Sequence, residues 1–270
     1  MTGAEQLELA EKAYLAQDYG GAVEHARAAL SAGLDLNVPG SERGEYWEHP
    51  ETAQCEILLG TALLELGDKD AALEHLDRAV SLDRENKRTY ANRGHVRRER
   101  GELTEALADL DYALRRDPGY AFARFRRAQT LLALERRDEA EAELCTLLTA
   151  NPYDAAPFAL WQQLRSDRGL PSERASLPSP SDYLSLFQRA AIFMQHEEPK
   201  LALADYDAAY ALSPQGFILA SRSVAHEKLG KLGAAIADAE AYLATDPNHA
   251  GMKGWRDSLV QRSKDTGGAR

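Results

Sequence analysis

Between Ala53 and Asn86, the apolar residues Ile57, Leu58, Leu63 and Leu64 recur at the spacing that collects side chains on one face of a helix. Gly67–Asp70 interrupts the pattern, the glycine reading as a helix stop and Asp68 as the N-cap of a second helix. That second amphipathic run, 71–82, completes the block. The block then repeats. Lys87–Tyr120 (KRTYANRGHVRRERGELTEALADLDYALRRDPGY) matches it after a shift of 34 residues, and Ala121–Asp154 matches after 34 more. Gly60, Gly94 and Ala128 share one register, Ala72, Ala106 and Ala140 a second, and Leu76, Leu110 and Leu144 a third. Gly67 and Gly101 align with Glu135. Pro118 and Pro152 close their blocks, where Arg84 stands in the first.

The pattern extends outward. Gly3–Leu36 carries Ala10, Ala22 and Ala29 in matching slots, and Tyr183–Gly216 carries Ala190, Ala202, Tyr206, Ala209 and Pro214. Phe217–His249 comes next with Ser223, Gly230, Ala235 and Pro247, one residue short of the full period. Ala155–Arg165, with Phe158 and Trp161, reads as half a block. The matched small residues have a mechanical role: Gly94 and Ala106 let the two helices of one block approach where a longer side chain would hold them apart. A closing proline ends the second helix and starts the turn into the next block.

The small residue at position 8, alanine at position 20 (Ala22, Ala72, Ala106, Ala140, Ala202 and Ala235) and proline at position 32 resemble the tetratricopeptide repeat (TPR) family over residues 3–36 and 53–249. The resemblance implies an all-α, right-handed superhelical solenoid of antiparallel helix pairs, about six repeats plus a half-unit and a terminal helix. Repeats are expected at 3–36, 53–165 (including the half-unit) and 183–249. They are separated by an insertion at 37–52, with Tyr46 and Trp47 as a plug over a helix end, and by a Ser/Pro-rich linker at 166–182. The three prolines of the linker forbid a continuous helix, so it reads as an exposed, mobile break between two stacks. A solvating helix is expected at 250–263 and a flexible tail at 264–270.

Composition narrows the function. Hydrophobic residues at 44% and charged residues at 28% fit a packed, soluble chain, and aromatics at 7% disfavour a β-sandwich. Thirty-two Lys+Arg against 43 Asp+Glu give a net charge of −11, which repels phosphate and excludes general nucleic-acid binding. No apolar stretch approaches the ~18–20 residues of a membrane span. Two cysteines, Cys55 and Cys145, are too few for a disulfide scaffold, and in repeats separated by a whole unit they should not bridge. With Glu5, Glu8 and Glu11 opening the chain, the expected setting is cytoplasmic, with no membrane partner.

Catalytic chemistry has little support. GxGxxG, GxxxxGK[ST] and GxSxG motifs are missing. His196-Glu197 and His226-Glu227 lack the second histidine of a zinc site, and His25 and His75 share a repeat slot with no ligand pattern. The reading is therefore non-enzymatic, with no cofactor and no metal.

The family resemblance implies instead a groove lined by first helices, with positions 2, 5, 6, 9, 12 and 13 facing inward. These slots hold Gln54, Ile57, Leu58, Thr61 and Leu64 in one repeat, and Arg88, Asn92, His95 and Arg98 in the next. They hold Phe122, Phe125, Arg126, Gln129 and Leu132 in the third, and Leu184, Phe187, Gln188 and Met194 in Tyr183–Gly216. Between Lys87 and Arg137, 13 Lys+Arg stand against seven Asp+Glu, a local +6 that leaves −17 elsewhere. Arg97, Arg100, Arg115, Arg136 and Arg137 read as outer or loop residues. The partner-binding set is then Arg88, Asn92, His95, Arg98, Phe122, Phe125, Arg126, Gln129 and Phe187. Of these, Arg88, Asn92, His95, Arg98, Arg126 and Gln129 lie on two adjacent repeats and should form one contiguous patch. Relatives that clamp a C-terminal carboxylate use five side chains from three first helices. Asn92 and Arg126 match two of those slots, but Ile57, Thr61 and Phe122 stand where lysine, asparagine and lysine belong, so the chain does not read as such a receptor. The function expected is a protein–protein adaptor or scaffold whose groove holds a peptide or helix carrying acidic and apolar residues. The alternatives are a regulatory sensor of a small peptide and, less favoured, an enzyme with a site on an insertion.

Overall fold

The computed structural model describes residues 1–34 and 50–267. Among these residues the chain is all-α, with α1 (Gly3–Leu15), α2 (Tyr19–Ala32), α3 (Pro50–Glu65), α4 (Lys69–Leu82), α5 (Lys87–Arg100), α6 (Leu103–Arg116) and α7 (Ala121–Ala133). The chain continues with α8 (Arg137–Ala150), α9 (Ala155–Ser166), α10 (Tyr183–Gln195), α11 (Pro199–Leu212), α12 (Gly216–Lys228), α13 (Leu232–Thr245) and α14 (Ala250–Gly267). None of the described helices is long and apolar enough to cross a membrane. The chain forms two compact units, Met1–Glu143 and Leu144–Arg270, so the division falls inside α8 and not in the Ser/Pro-rich segment.

Local chemistry sets the helix ends. Asp18 and Asp68 cap α2 and α4 by accepting from the Gly21 and Ala71 amides, and Thr2 and Glu5 form a capping box on α1. The turns between paired helices place one residue in the left-handed region: Gly67 (φ 87°) and Gly101 (φ 84°), but also Glu135 (φ 59°), so the turn survives where the glycine is replaced.

All six position-20 alanines are fully buried. They are buried because the helices of a pair cross there at close range. A Cβ added to Gly94 would stand 2.9 Å from Leu110 Cγ and 3.0 Å from the Ala106 carbonyl oxygen; on Gly60 it would stand 2.6 Å from Leu76 Cγ and 3.0 Å from the Ala72 carbonyl oxygen.

A second tie recurs at position 23, on the second helix. Asp109 there receives two hydrogen bonds from Arg93 (2.7 and 2.9 Å) and one from Arg97 (2.7 Å). Glu143 receives Arg124 and Arg127, Asp205 receives Arg189, and Asp238 receives Arg222. Several of these arginines also reach back to the preceding second helix: Arg93 to Asp77, Arg127 to Asp111 and Arg222 to Asp207. In the first two repeats the same slot is histidine, and His25 and His75 meet Gln6 and Glu56 at 2.8 and 2.6 Å. The shared histidine slot is thus a helix–helix contact.

Several boundaries differ from those expected. Residues 37–49 of the first insertion, with Tyr46 and Trp47, lie outside the described residues, and Pro50–Thr52 already belong to α3. α12 begins at Gly216, so the missing residue precedes the last repeat. α14 runs to Gly267, beyond the expected end at 263 and into the expected tail. Residues 167–182 lack α-helix, as their prolines require, and most of them are exposed as expected, but the segment is anchored at two points. Leu177 is buried, the Arg174 guanidinium lies 4.4 Å from the Tyr153 ring and 4.1 Å from the Phe158 ring, and its Nε donates to the Pro152 carbonyl. Arg189 Nη1 donates to the Pro178 carbonyl at 2.6 Å. A planar cation between two rings replaces the apolar period that the segment lacks.

Gly94→Ala should lower stability by about 1–3 kcal/mol, because the overpacked crossing outweighs the helix-propensity gain of roughly 1 kcal/mol. Thermal unfolding followed by circular dichroism measures it, and an unchanged or raised midpoint would refute the close crossing. Arg174→Ala should speed tryptic cleavage after Arg168; an unchanged rate would mean that the ring stacking does not hold the segment.

Candidate functional site

In the first unit, the first helices of successive pairs touch one another, α1 to α3, α3 to α5 and α5 to α7. No two second helices meet to a like extent among the described residues. The first helices therefore share one wall, and a cleft of about 420 Å³ opens on it. Glu11, Tyr14 and Leu15 of α1 line one side, Gln54, Ile57, Leu58 and Thr61 of α3 the middle, and Arg88 and Asn92 of α5 with Tyr120 the other side.

The cleft is apolar at its centre and polar at its edges. Ile57 and Leu58 are buried. Burial pushes the Tyr14 phenol above its ordinary pKa, with the nearby Thr61 hydroxyl acting in the opposite direction. Thr61 Oγ1 donates to the Ile57 and Leu58 carbonyls at 3.0 Å. The side chains of Glu11, Gln54, Arg88 and Asn92 have no polar partner among the described residues. Four hydrogen-bonding groups of three kinds, an anion, a cation and two amides, thus surround an apolar floor.

The remaining candidates on α5 and α7 gather beside this cleft as a second group. Arg126 lies over the Phe122 ring at 5.0 Å and donates to Gln129 Oε1 at 3.1 Å. His95 meets the edge of the same ring at 6.0 Å, and its Nε2 is 3.7 Å from Glu99. Glu99 also accepts from Arg98. Burial, reinforced by the Arg126 and Arg98 charges, pushes the His95 pKa down to about 3, so it is a neutral hydrogen-bonding group. Burial and Arg98 also lower the pKa of Arg126. Phe125 is half-buried on α7, one turn from Phe122 and from Gln129. Arg88 and Asn92 line the cleft and the others gather around Phe122 beside it, with the Arg126 charge acting on Tyr14 of the cleft wall.

The local excess of cations is largely taken up by the fold. Arg93, Arg97, Arg124 and Arg127 hold second helices, while Arg100 pairs with Asp70 and Glu102, Arg116 with Glu85, and Lys87 with Asp117. Arg136 and Arg137 pair with Glu139 and Glu135. Arg88, Arg115 and Arg126 are the cations of this stretch without a carboxylate partner among the described residues, and Arg115 lies against Tyr112. Arg97, read as an outer residue, is a structural tie.

Phe187 belongs to the second unit, where its ring packs edge-on against Phe217 at 4.8 Å and beside Tyr206 at 5.7 Å. Leu184 and Phe217 are 48% and 42% exposed, so α10 and α12 carry an apolar surface of their own. The residues not singled out from the sequence are Glu11, Tyr14, Leu15 and Tyr120. The signal was present: in Gly3–Leu36 the inward positions 9, 12 and 13 are Glu11, Tyr14 and Leu15.

Because the folded pKa of His95 lies below its unfolded value near 6.5, the unfolded chain takes up a proton that the folded one refuses. Stability from this group is complete above about pH 7 and falls toward pH 3, by at most about 1.4 kcal/mol per pH unit. NMR titration should show the His95 ring unprotonated at pH 5; a midpoint near 6.5 would contradict its burial.

Tetratricopeptide repeat models match residues 57–121 and 97–164. Protein FlbA of Caulobacter vibrioides is 34% identical over 130 residues, 44% of this chain and 22% of that protein. DnaJ homolog subfamily C member 3 of Homo sapiens is 27% identical over 200 residues, 66% of this chain and 39% of that protein. The chain spans less than half the length of these relatives. Among solved structures, a tetratricopeptide repeat protein from Parabacteroides merdae is similar at 20% identity, covering 96% of this chain and 98% of that one, with a TM-score of 0.48. The first TPR of Spaghetti, bound to an HSP90 peptide, is similar at 18% identity over 44% of this chain and 94% of that one, with a TM-score of 0.42.

Proposed function

Since the chain is a tetratricopeptide repeat protein, we propose that it is a protein-interaction adaptor whose first unit holds a peptide segment on the wall of first helices. The observation that carries this reading is the cleft itself: an apolar floor of Ile57 and Leu58 ringed by Glu11, Gln54, Arg88 and Asn92, whose polar groups have no partner among the described residues. Polar side chains left open around buried apolar ones suit a ligand that brings both kinds of group. Arg88 and Asn92 would bind a carboxylate and a backbone amide of the partner. Tyr14, Ile57 and Leu58 would receive an apolar side chain. Phe122, Phe125 and Arg126, with His95, Arg98 and Gln129, would extend the surface along α7. The apolar surface around Phe187 on the second unit would serve as a contact of its own. The role is binding without catalysis, and a chain with only two cysteines fits a reducing, cytoplasmic setting.

The test uses peptides selected from a random display library on the full-length chain. Arg88→Glu combined with Asn92→Ala should weaken a selected peptide at least tenfold, about 1.4 kcal/mol, while far-ultraviolet circular dichroism stays unchanged. Unchanged affinity in a folded double variant would move the binding surface away from this cleft.

A further inference from the structure

The charge on the rim of the cleft has a direction. Glu11 stands on the α1 side and Arg88 on the α5 side, with Ile57 and Leu58 of α3 between them. Both charged groups are exposed, and neither has a polar side-chain partner among the described residues. Their neighbours Glu8 and Arg93 differ, Glu8 being held by Lys12 at 2.6 Å and Arg93 by Asp77 and Asp109. Glu11 and Arg88, both left open, line the same cleft from opposite edges, with the charges of Glu65 and Arg126 also acting on Tyr14 of its wall.

Resting on the peptide-binding reading above, we infer that the cleft selects a dipolar segment: a Lys or Arg that meets Glu11, an Asp or Glu that meets Arg88, and an apolar residue between them on Ile57, Leu58 and Tyr14. An acidic and apolar ligand alone would leave Glu11 facing a carboxylate across the cleft, a repulsion that discriminates against it. α1 and α5 are two helix spacings apart, about 16–20 Å in all. An extended chain advances about 3.3 Å per residue, and the long charged side chains of both partners shorten the span, so the two charges lie about three to five residues apart. Gln54 and Asn92, one on α3 and one on α5, stand where the backbone of such a segment passes and offer amide donors and acceptors to it.

The experiment compares display selections on the full-length protein, its Glu11→Lys variant and an Arg88→Glu variant, with Glu24→Lys on α2 as a control of equal charge change outside the cleft. On the unaltered protein, enriched peptides should carry opposite charges three to five residues apart around an apolar residue, and the library itself reads the chain direction. A synthetic copy of one such peptide should lose at least tenfold affinity to the Glu11→Lys protein, lose little to Glu24→Lys, and bind more weakly as salt is added. A charge-reversed copy of the peptide should bind the Glu11→Lys, Arg88→Glu double variant better than it binds the unaltered protein. Enriched peptides that are only acidic, or equal losses at Glu11 and Glu24, overturn the dipolar inference while leaving peptide binding intact. No enrichment over the Arg88→Glu variant overturns both.

Discussion

Everything in the first unit rests on how closely two helices cross at positions 8 and 20 of a repeat. At Gly94 the space between α5 and α6 is too small for a methyl group without displacing Leu110 or the Ala106 carbonyl. The constraint is steric and local, and it is met again at Gly60 over Ala72 and Leu76. Pairs joined so tightly pack on the next pair chiefly through the second helix of one and the first helix of the next, and their first helices touch as well, which brings α1, α3, α5 and α7 onto one wall. Side chains separated by whole repeats in sequence, such as Tyr14, Ile57 and Arg88, then border a single cleft.

Electrostatics supply the second layer of order. The carboxylates at position 23 draw arginine from the first helix of their own repeat, and at Arg93, Arg127 and Arg222 the same guanidinium also reaches the preceding second helix. A guanidinium suits this position because its fork can bind two carboxylates at once, which a lysine ammonium cannot do with the same geometry. The consequence for binding is subtractive. Cations that a charge count assigns to a basic patch are held in the fold, and the wall of first helices presents Arg88 and Arg126 against a rim that includes Glu11.

The fold was legible from sequence because its determinants are short-range and repeated. The register of Gly60, Gly94 and Ala128 with Ala72, Ala106 and Ala140 marks the crossings, and the helix pairs come with them. The site was legible in part: inward slots led to Arg88 and Asn92, and the same rule applied to Gly3–Leu36 leads to Glu11 and Tyr14. Two features escaped for physical reasons. Side-chain pairing between residues 12 to 19 apart decides which arginines are available, and nothing in the local pattern around Arg97 separates a tie to Asp109 from an outer residue. One anchor of residues 167–182 is a cation, Arg174, stacked on Tyr153 and Phe158, which a scan for apolar periodicity passes over.

The wall of first helices as the recognition surface is tested most directly by backbone amide chemical-shift mapping of the isotope-labelled full-length protein, titrated with a peptide selected on it. The amides of Glu11, Gln54, Arg88 and Asn92 should move together and saturate at one peptide per chain, while those of α2, α4 and α6 move little. Shifts confined to the second helices, with the amides of the cleft unmoved, would contradict recognition by this wall.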